Sequence, residues 1–119
     1  RIRALGRRGP DRDAAADVFE TGPIRIDIGR REITRDGAPV DLTPREFDVA
    51  VFFFRNPGKL VTQRQLLQEV WGPQYHDETN YLRVYMAQIR RKLEPDPARP
   101  RFFITEPGMG YRFEPEGTP

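Results

Sequence analysis

The side chains with the clearest chemical use lie at positions 80–91, within a helix predicted for residues 78–92. An apolar stripe recurs at steps of four, three and four, formed by Leu82, Met86, Ile89 and Leu93. The opposite face carries amides, small side chains and positive charge without an acid, on Asn80, Val84, Ala87, Gln88 and Arg91. Groups of this kind can reach base edges and phosphates in a DNA major groove. The pattern therefore predicts a helix that reads DNA.

Other chemistries find little support in the sequence. His76 is the only histidine and has no neighbouring metal-ligand spacing, and the chain contains no cysteine. Asp77 and Glu78 stand beside it without a nucleophile or a second carboxylate pair. Gly108 and Gly110 fit a hairpin turn better than a nucleotide-binding loop. We predict no catalytic residue, no metal site and no cofactor, and hence a protein that is not an enzyme.

Charge distribution is more informative than the net charge of +2. Between Asn80 and Arg101 the sequence places six basic residues against two acids, which is the clustering expected of a nucleic-acid surface. A solvated helix face explains the same charges equally well. The run at 90–92 is also favourable at any helix C-terminus, although we expect at least one phosphate contact there, with Arg91 best placed. No apolar run is long enough for a membrane and no signal peptide is present, so we expect a cytoplasmic protein without a membrane partner.

The elements that must position this helix begin with a small antiparallel sheet. Ile24, Ile26 and Ile28 alternate with polar residues, which indicates a half-buried strand. Ile33 centres a second strand, and the turn signal at 36–37 separates it from a strand predicted at 40–42. A further short strand is predicted at 18–20.

Two helices are predicted between this sheet and the DNA-reading helix. Residues 43–46 combine an N-cap Thr43, a proline at the first helical position and Glu46, which makes a capping box. The apolar stripe that follows leaves Phe52 and Phe53 outside it. These two rings predict either a second helix face buried against the sheet or an interface with another domain. A second capping box at 62–65 begins a helix that ends near Trp71.

The last helix and a hairpin complete the predicted order. A loop at 72–77 precedes the helix, which is capped by Asp77 or Thr79 and terminated at 94–97. Aromatic runs at 101–105 and 111–113 flank a Pro/Gly turn and predict a hairpin. The predicted fold is α+β: a winged helix-turn-helix with an N-terminal antiparallel sheet, three helices and a C-terminal β-hairpin wing. We assign residues 18–114 to one domain, 115–119 to a tail, and 1–17 to the end of a basic helix plus a linker.

The order and spacing of several motifs resemble a known family over about residues 17–114. These motifs are LTPREF at 42–47, PGKLVT at 57–62, QLLQEVWG at 65–72, YLRVYM at 81–86, RRKLE at 90–94 and GMGYRF at 108–113. They resemble the OmpR/PhoB-type winged-helix effector domain of bacterial response regulators. Residues 1–8 are similar to the end of a receiver-domain helix. The stretches at 71–73, 81–86 and 96–100 resemble members that control a potassium-transport operon.

The resemblance implies a mechanism and a set of partners. A sensor kinase would phosphorylate the absent receiver domain, the full-length protein would form a homodimer, and two effector domains would bind tandem half-sites on double-stranded DNA. The wing would touch the neighbouring minor groove. The loop at 72–77 resembles a segment that contacts RNA polymerase, which implies polymerase contacts from Gly72, Pro73, Gln74, Tyr75 and His76.

The DNA-contacting residues follow in part from the resemblance and in part from the helix positions. Trp71, Thr105 and Tyr111 match positions that touch the phosphate backbone. At the start of the second helix, free N–H groups of Gln63 and Arg64 could meet a phosphate, whereas Thr62 is first a helix cap. The full predicted set is Thr62, Gln63, Arg64, Trp71, Asn80, Tyr81, Val84, Tyr85, Gln88, Arg91, Thr105 and Tyr111.

Two positions depart from the family pattern. Gln88 stands where some members have a base-reading arginine, and glutamine pairs with adenine rather than guanine. Pro107 stands where some members insert an arginine at the wing tip, which puts minor-groove readout in question, and Arg112 cannot be assumed to replace it. A winged helix can also serve as a protein-interaction module that contacts RNA polymerase or a partner domain without base reading. Such a module should expose large apolar groups on the third helix.

Overall fold

Two antiparallel sheets flank three helices in the computed structural model, which describes residues 17–75 and 79–117. The N-terminal sheet has the order β1-β2-β3-β4, with β1 at Val18–Thr21, β2 at Ile24–Asp27, β3 at Glu32–Arg35 and β4 at Ala38–Pro39. The C-terminal sheet has the order β5-β7-β6, with β5 at Leu60–Thr62, β6 at Phe103–Glu106 and β7 at Gly110–Phe113. The helices are α1 at Pro44–Phe54, α2 at Gln63–Val70 and α3 at Thr79–Leu93.

The N-terminal sheet forms largely as the alternating pattern predicts. Ile26 pairs with Ile33 across β2 and β3, and both side chains are buried. Asp36 and Gly37 both have positive φ, the conformation of the tight turn predicted between β3 and its neighbour. The strand predicted at 40–42 is wrong, because β4 comprises only Ala38–Pro39. The Val40 N–H still donates to the Ile33 carbonyl oxygen at 2.9 Å, and beyond Val40 the chain turns towards the start of α1.

The first helix begins as its sequence predicts. Thr43 Oγ1 accepts a hydrogen bond from the Glu46 N–H at 3.2 Å, and Glu46 Oε1 accepts one from the Thr43 N–H at 3.0 Å. Phe53 is fully buried, and its ring centre lies 5.9 Å from that of Phe103 at an interplanar angle of 79°, an edge-to-face arrangement. A second face of α1 is therefore buried, and for Phe53 the neighbour is the C-terminal hairpin. Phe52 remains half-buried.

The starts of the other two helices agree only partly with expectation. Thr62 Oγ1 accepts a hydrogen bond from the Gln65 N–H at 3.0 Å, so Thr62 is the predicted cap of α2. The second capping box is otherwise wrong, because the Gln65 side chain is exposed and only the Thr62 half forms. Of the two predicted caps of α3, Asp77 lies outside the described residues and Thr79 is already helical. The predicted stripe of α3 is confirmed, with the buried residues Leu82, Met86, Ile89 and Leu93.

A three-residue strand that the sequence did not predict, β5, completes the C-terminal sheet. Val61 pairs with Tyr111, and Thr62 pairs with Gly110. Gly110 has φ +148°, and a Cβ at this position would lie 2.1 Å from the carbonyl oxygen of Val61. Glycine is therefore required for β5 and β7 to approach each other.

A buried carboxylate joins the end of α3 to the start of β6. Glu94 has no exposed surface. Its Oε1 accepts the N–H of Arg101 at 2.8 Å, and its Oε2 accepts those of Phe102 and Phe103 at 3.0 and 2.7 Å. Three donors offset the cost of burying the charge. Glu94 thereby fixes where the hairpin leaves the last helix.

Candidate nucleic-acid interface

The outer face of α3 is mostly polar and exposed. Asn80, Ala87 and Arg91 are exposed, and Val84 is 59% exposed. Gln88 is half-buried, and its Oε1 accepts a hydrogen bond from Arg91 Nη2. An amide and a guanidinium therefore lie side by side on the C-terminal half of this face. Both groups can serve base edges or phosphates.

Four aromatic rings join the end of α2 to the first half of α3. The centre of the Trp71 ring lies 5.1 Å from the ring centre of Tyr85, in an edge-to-face arrangement, and 6.4 Å from that of Tyr81. The Tyr75 ring lies 6.3 Å from Tyr81. Tyr81 is 46% exposed, whereas the other three are half-buried. This aromatic cluster, Trp71, Tyr75, Tyr81 and Tyr85, places tryptophan and tyrosine rings at the edge of the open face of α3.

Arg45 supports the cluster from α1 and was not among the predicted site residues. Its guanidinium carbon lies 5.0 Å from the centre of the Trp71 ring, and Nη1 donates to the carbonyl oxygen of Val70 at 2.6 Å. The two contacts hold the Trp71 ring and satisfy a carbonyl at the end of α2. In the sequence, Arg45 is the middle of a capping box, so nothing local indicated a second role.

Arg90 attaches the wing to α3. Its Nε donates to the carbonyl oxygen of Phe103 at 2.9 Å, and its Nη2 donates to Thr105 Oγ1 at 2.6 Å. The guanidinium carbon lies 6.0 Å from the Tyr111 ring centre. Burial lowers the pKa of Arg90, opposed by Tyr111 and Glu94. Burial also raises the pKa of the Tyr111 hydroxyl, opposed by the charges of Arg90 and Arg83.

The three basic residues that end α3 have different surroundings. Arg90 donates a hydrogen bond to Thr105 of the wing, and Lys92 Nζ forms an ion pair with Glu46 Oε1 at 2.7 Å. Burial alone would raise the pKa of the Glu46 carboxyl. The Lys92 ammonium and the Thr43 N–H outweigh burial, so the pKa of Glu46 lies below its ordinary value. Of the three, Arg91 is the exposed one, whereas Arg90 and Lys92 are half-buried. It is the member of the run that faces solvent on the open face.

The wing tip carries apolar groups and no free cation among its described residues. Pro107, Gly108 and Met109 are exposed, Met109 by 59%. Arg112 is paired with Glu106 at 2.5 Å and with Glu114 at 2.6 Å. The side chain of Arg112 is therefore committed within the hairpin.

The remaining predicted residues fall around this surface at different depths. Thr62 and Arg64 are exposed at the start of α2, and Gln63 is half-buried. Tyr111 is buried, with 4% of its surface exposed, and it packs in the core. Its contact with a phosphate stays a prediction. The structure describes Gly72, Pro73, Gln74 and Tyr75 of the predicted polymerase loop, whereas His76 lies outside the described residues.

The sheet, the three helices and the hairpin define the class: a winged helix-turn-helix domain with an open polar face on α3. The chain belongs to the family described as transcriptional regulatory protein, C terminal, which matches residues 37–113. It is an OmpR/PhoB-type DNA-binding domain. None of the described helices has the length and apolar character needed to cross a membrane.

Similar proteins agree with this assignment. The chain is 51% identical over 118 residues to the transcriptional regulatory protein KdpE of Mycobacterium tuberculosis, covering 96% of this chain and 51% of that protein. It is 46% identical over 113 residues to the KDP operon transcriptional regulatory protein KdpE of Escherichia coli, covering 95% and 50%. The response regulator DrrB, an OmpR/PhoB homologue of Thermotoga maritima, superimposes with a TM-score of 0.75 at 30% identity, covering 82% and 44%. The chain thus spans about half the length of the curated relatives that it matches.

Proposed function

We propose that this domain binds double-stranded DNA by placing α3 in the major groove and reading base edges with its outer face. The observation that carries the proposal is the composition of that face. It combines the exposed Asn80, the adjacent Gln88 and Arg91, and a single apolar group, Val84. Amides and a guanidinium can pair with adenine or guanine edges, and a valine can contact a thymine methyl group.

Each exposed group takes a role that fits its position. Gln88 reads a base, with adenine preferred, because its amide offers both a donor and an acceptor. Arg91 contacts a phosphate and orients Gln88 through the hydrogen bond between them. Tyr81, Tyr85 and Trp71 contact the backbone at the edge of the aromatic cluster. Further phosphate contacts come from the start of α2 at 62–64, where the first helical N–H groups have no acceptor within the helix, and from Thr105 on the wing.

The full-length protein supplies the remaining partners in this proposal. A sensor kinase acts on a receiver domain, the protein forms a homodimer, and two effector domains bind tandem half-sites in the cytoplasm. The loop that begins with Gly72, Pro73, Gln74 and Tyr75 and includes His76 contacts RNA polymerase. The target is an operon for potassium transport, because two relatives at 51% and 46% identity are both KdpE proteins and one is described as a KDP operon regulator.

A protein-interaction module without base reading is the alternative function. Two exposed apolar side chains on α3 favour it, because Tyr81 is 46% and Val84 is 59% exposed. The rest of the face is polar, which argues against a protein-interaction module, because the centres of protein-docking surfaces are depleted of charged residues. A DNA-binding measurement separates the two functions directly.

The test is a fluorescence anisotropy titration of the domain against a duplex from a KDP operon promoter and a randomised duplex pool, at two salt concentrations. We expect tighter binding to the promoter duplex, with a difference that persists at the higher salt. Arg91→Ala should weaken binding to both duplexes and lower the salt slope by about 1. Gln88→Ala should reduce the difference between them.

Arg30→Ala is the matched control, because Arg30 is an exposed arginine in the N-terminal sheet region, away from α3. It should leave both affinities unchanged. Binding to neither duplex by the unaltered domain would favour the protein-interaction module. Equal binding that disappears with salt would mean phosphate attraction alone.

A further inference from the structure

An arginine of the N-terminal sheet donates hydrogen bonds to the end of α3. We propose that this residue, Arg35, is a positioning residue for base reading, which holds the end of α3 in the place from which Gln88 and Arg91 meet DNA. The inference rests on the proposed function, because it concerns how precisely the same face of α3 is presented. Arg35 acts through the helix and not by touching the duplex.

The strand register turns Arg35 towards the helices. Arg35 is the last residue of β3, two positions after the buried Ile33, and it is paired with the buried Ile24 of β2. Residues two apart on a strand share one face of the sheet, and so do residues that are directly paired between strands. The side chain of Arg35 therefore leaves the sheet on its core-facing side, where it is half-buried.

The guanidinium of Arg35 reaches carbonyl groups that the end of a helix leaves without partners. Its Nη1 donates to the carbonyl oxygen of Lys92 at 3.3 Å and to that of Glu94 at 3.2 Å. The last four carbonyl groups of an α-helix have no N–H donor within the helix. They also form the negative end of the helix dipole, where a cation is favourable. Arg35 thus caps the C-terminus of α3 from a strand 57 residues away in sequence.

Two further contacts hold the same end of the helix. Lys92 is paired with Glu46 of α1, and the carboxylate of Glu94 accepts the backbone N–H groups of 101–103. These contacts fix the end of α3 to α1 and to the wing, and Arg35 adds a link to the N-terminal sheet. Three elements therefore meet at residues 92–94, and each restricts the movement of the helix end.

The groups proposed to meet DNA lie on the turn that leads into this end. Gln88 is one helical turn before Lys92, and Arg91 precedes Lys92 directly. The hydrogen bond between Arg91 and Gln88 joins their side chains into one unit. Base reading needs hydrogen bonds with narrow limits on distance and angle, whereas attraction to phosphates falls slowly with distance. A loosened helix end should therefore reduce discrimination between sequences more than general affinity for DNA.

The test measures the ratio of the affinities for the promoter duplex and the randomised pool by anisotropy titration. Arg35→Met should lower this ratio about fivefold, because the hydrogen bonds that hold the reading turn are lost, and should change the affinity for the pool by about twofold or less. Arg35→Lys keeps a cation that can donate to the same carbonyl groups and should restore most of the ratio. Arg25→Met is the matched control: it removes an exposed arginine of β2 that is paired with Glu20, and should leave the ratio unchanged.

A double variant separates positioning from general destabilisation. A domain that merely unfolds more readily loses affinity for both duplexes in parallel, so its ratio stays constant. If Arg35 acts through Gln88, the variant with both Arg35→Met and Gln88→Ala should have the same ratio as Gln88→Ala alone. Urea denaturation checks that Arg35→Met is folded. If it is not, Arg35→Gln, which keeps a neutral NH₂ donor on a shorter side chain, takes its place.

The outcomes distinguish this inference from the proposed function. An unchanged ratio in Arg35→Met beside a lowered ratio in Gln88→Ala would overturn the positioning role alone. Effects that add in the double variant would also overturn it, because Arg35 would then act independently of Gln88. Absence of discrimination by the unaltered domain would overturn both proposals. The result expected is a ratio that falls in Arg35→Met, recovers in Arg35→Lys and falls no further when Gln88→Ala is already present.

Discussion

Lys92 Nζ lies 2.7 Å from Oε1 of Glu46, which ties the last turn of the reading helix to the first turn of α1. The same Glu46 oxygen accepts the Thr43 N–H of the capping box. Glu46 is 6% exposed and Lys92 is 26% exposed at their side chains. The ion pair thus connects two helices through a carboxylate that also caps one of them.

Replacing Lys92 should destabilise the domain in a pH-dependent way. Lys92→Met leaves the Glu46 carboxylate without its cation, which we expect to cost about 2 kcal/mol of unfolding free energy at pH 7. In the unaltered domain the pKa of Glu46 is below its unfolded value of 4.5. Its contribution is therefore complete above pH 4.5 and is lost as the pH falls through the lowered pKa.

The difference in unfolding free energy between the unaltered domain and Lys92→Met should consequently become smaller below pH 4.5. In that range Glu46 takes up a proton, and the missing cation matters less. Urea denaturation across a pH series measures this. Lys59→Met is the control, because Lys59 is exposed. A deficit that stays constant from pH 7 to pH 3 would contradict a role through the Glu46 charge.

Glu94→Gln should weaken the junction between α3 and the wing. A glutamine retains one acceptor oxygen, but its NH₂ group would face N–H donors of residues 101–103 that now bond to a carboxylate. We expect a loss of about 3 kcal/mol by urea denaturation. Amide exchange of Phe102 and Phe103 should accelerate. Glu32→Gln, at an exposed position, should have little effect, and equal stability of the two variants would disprove the assignment.

Two glycines of the hairpin should respond differently to alanine. Gly110→Ala places a Cβ 2.1 Å from the Val61 carbonyl oxygen, so β5 and β7 must separate. We expect a loss of about 3 kcal/mol or more. Gly108→Ala meets no atom within 4 Å but has φ +76°, which costs about 1 kcal/mol. Thermal denaturation compares the two, and a larger loss at Gly108 would be inconsistent with the close approach.

Trp71 should report DNA binding by its fluorescence. It is the only tryptophan of the chain, and its ring touches Tyr85 and Tyr81 at the edge of the open face. We expect its emission to change saturably on titration with duplex DNA. Trp71→Phe should abolish the signal while binding stays detectable by anisotropy. Unchanged emission at saturating DNA would place the aromatic cluster away from the duplex.

The parts of the fold that the sequence predicted well are those determined locally. The capping box at 43–46 uses contacts within four residues, and the stripe of α3 repeats with the helix period. Strand β5 was missed because three residues between two helices carry no period, and their partner β7 lies about 50 residues away. The strand predicted at 40–42 followed local β propensity, whereas the path into α1 determined where pairing stops.

In the candidate site, too, the locally determined features were predicted and the contacts between distant residues were missed. The open face of α3 follows from helix geometry, and so does the exposure of Arg91, whose contact with DNA stays a prediction. The contacts of Arg90 with the wing and of Lys92 with Glu46 join residues far apart in sequence. In the sequence these two cations look the same as Arg91. Glu94 likewise appeared only as part of a helix end, although it holds three backbone amides.

The order of the C-terminal sheet also governs how this domain emerges during translation. Its central strand, β7, is the last of the described strands to be synthesised, and both of its neighbours precede it. Until residues 110–113 leave the ribosome, β5 and β6 have no partner, and Tyr111 and Phe113 are missing from the core. A nascent chain that already contains all of α3 therefore cannot yet close its sheet. We expect a stalled chain to stay sensitive to proteases until that strand appears, and competence to bind DNA to arise late and in one step.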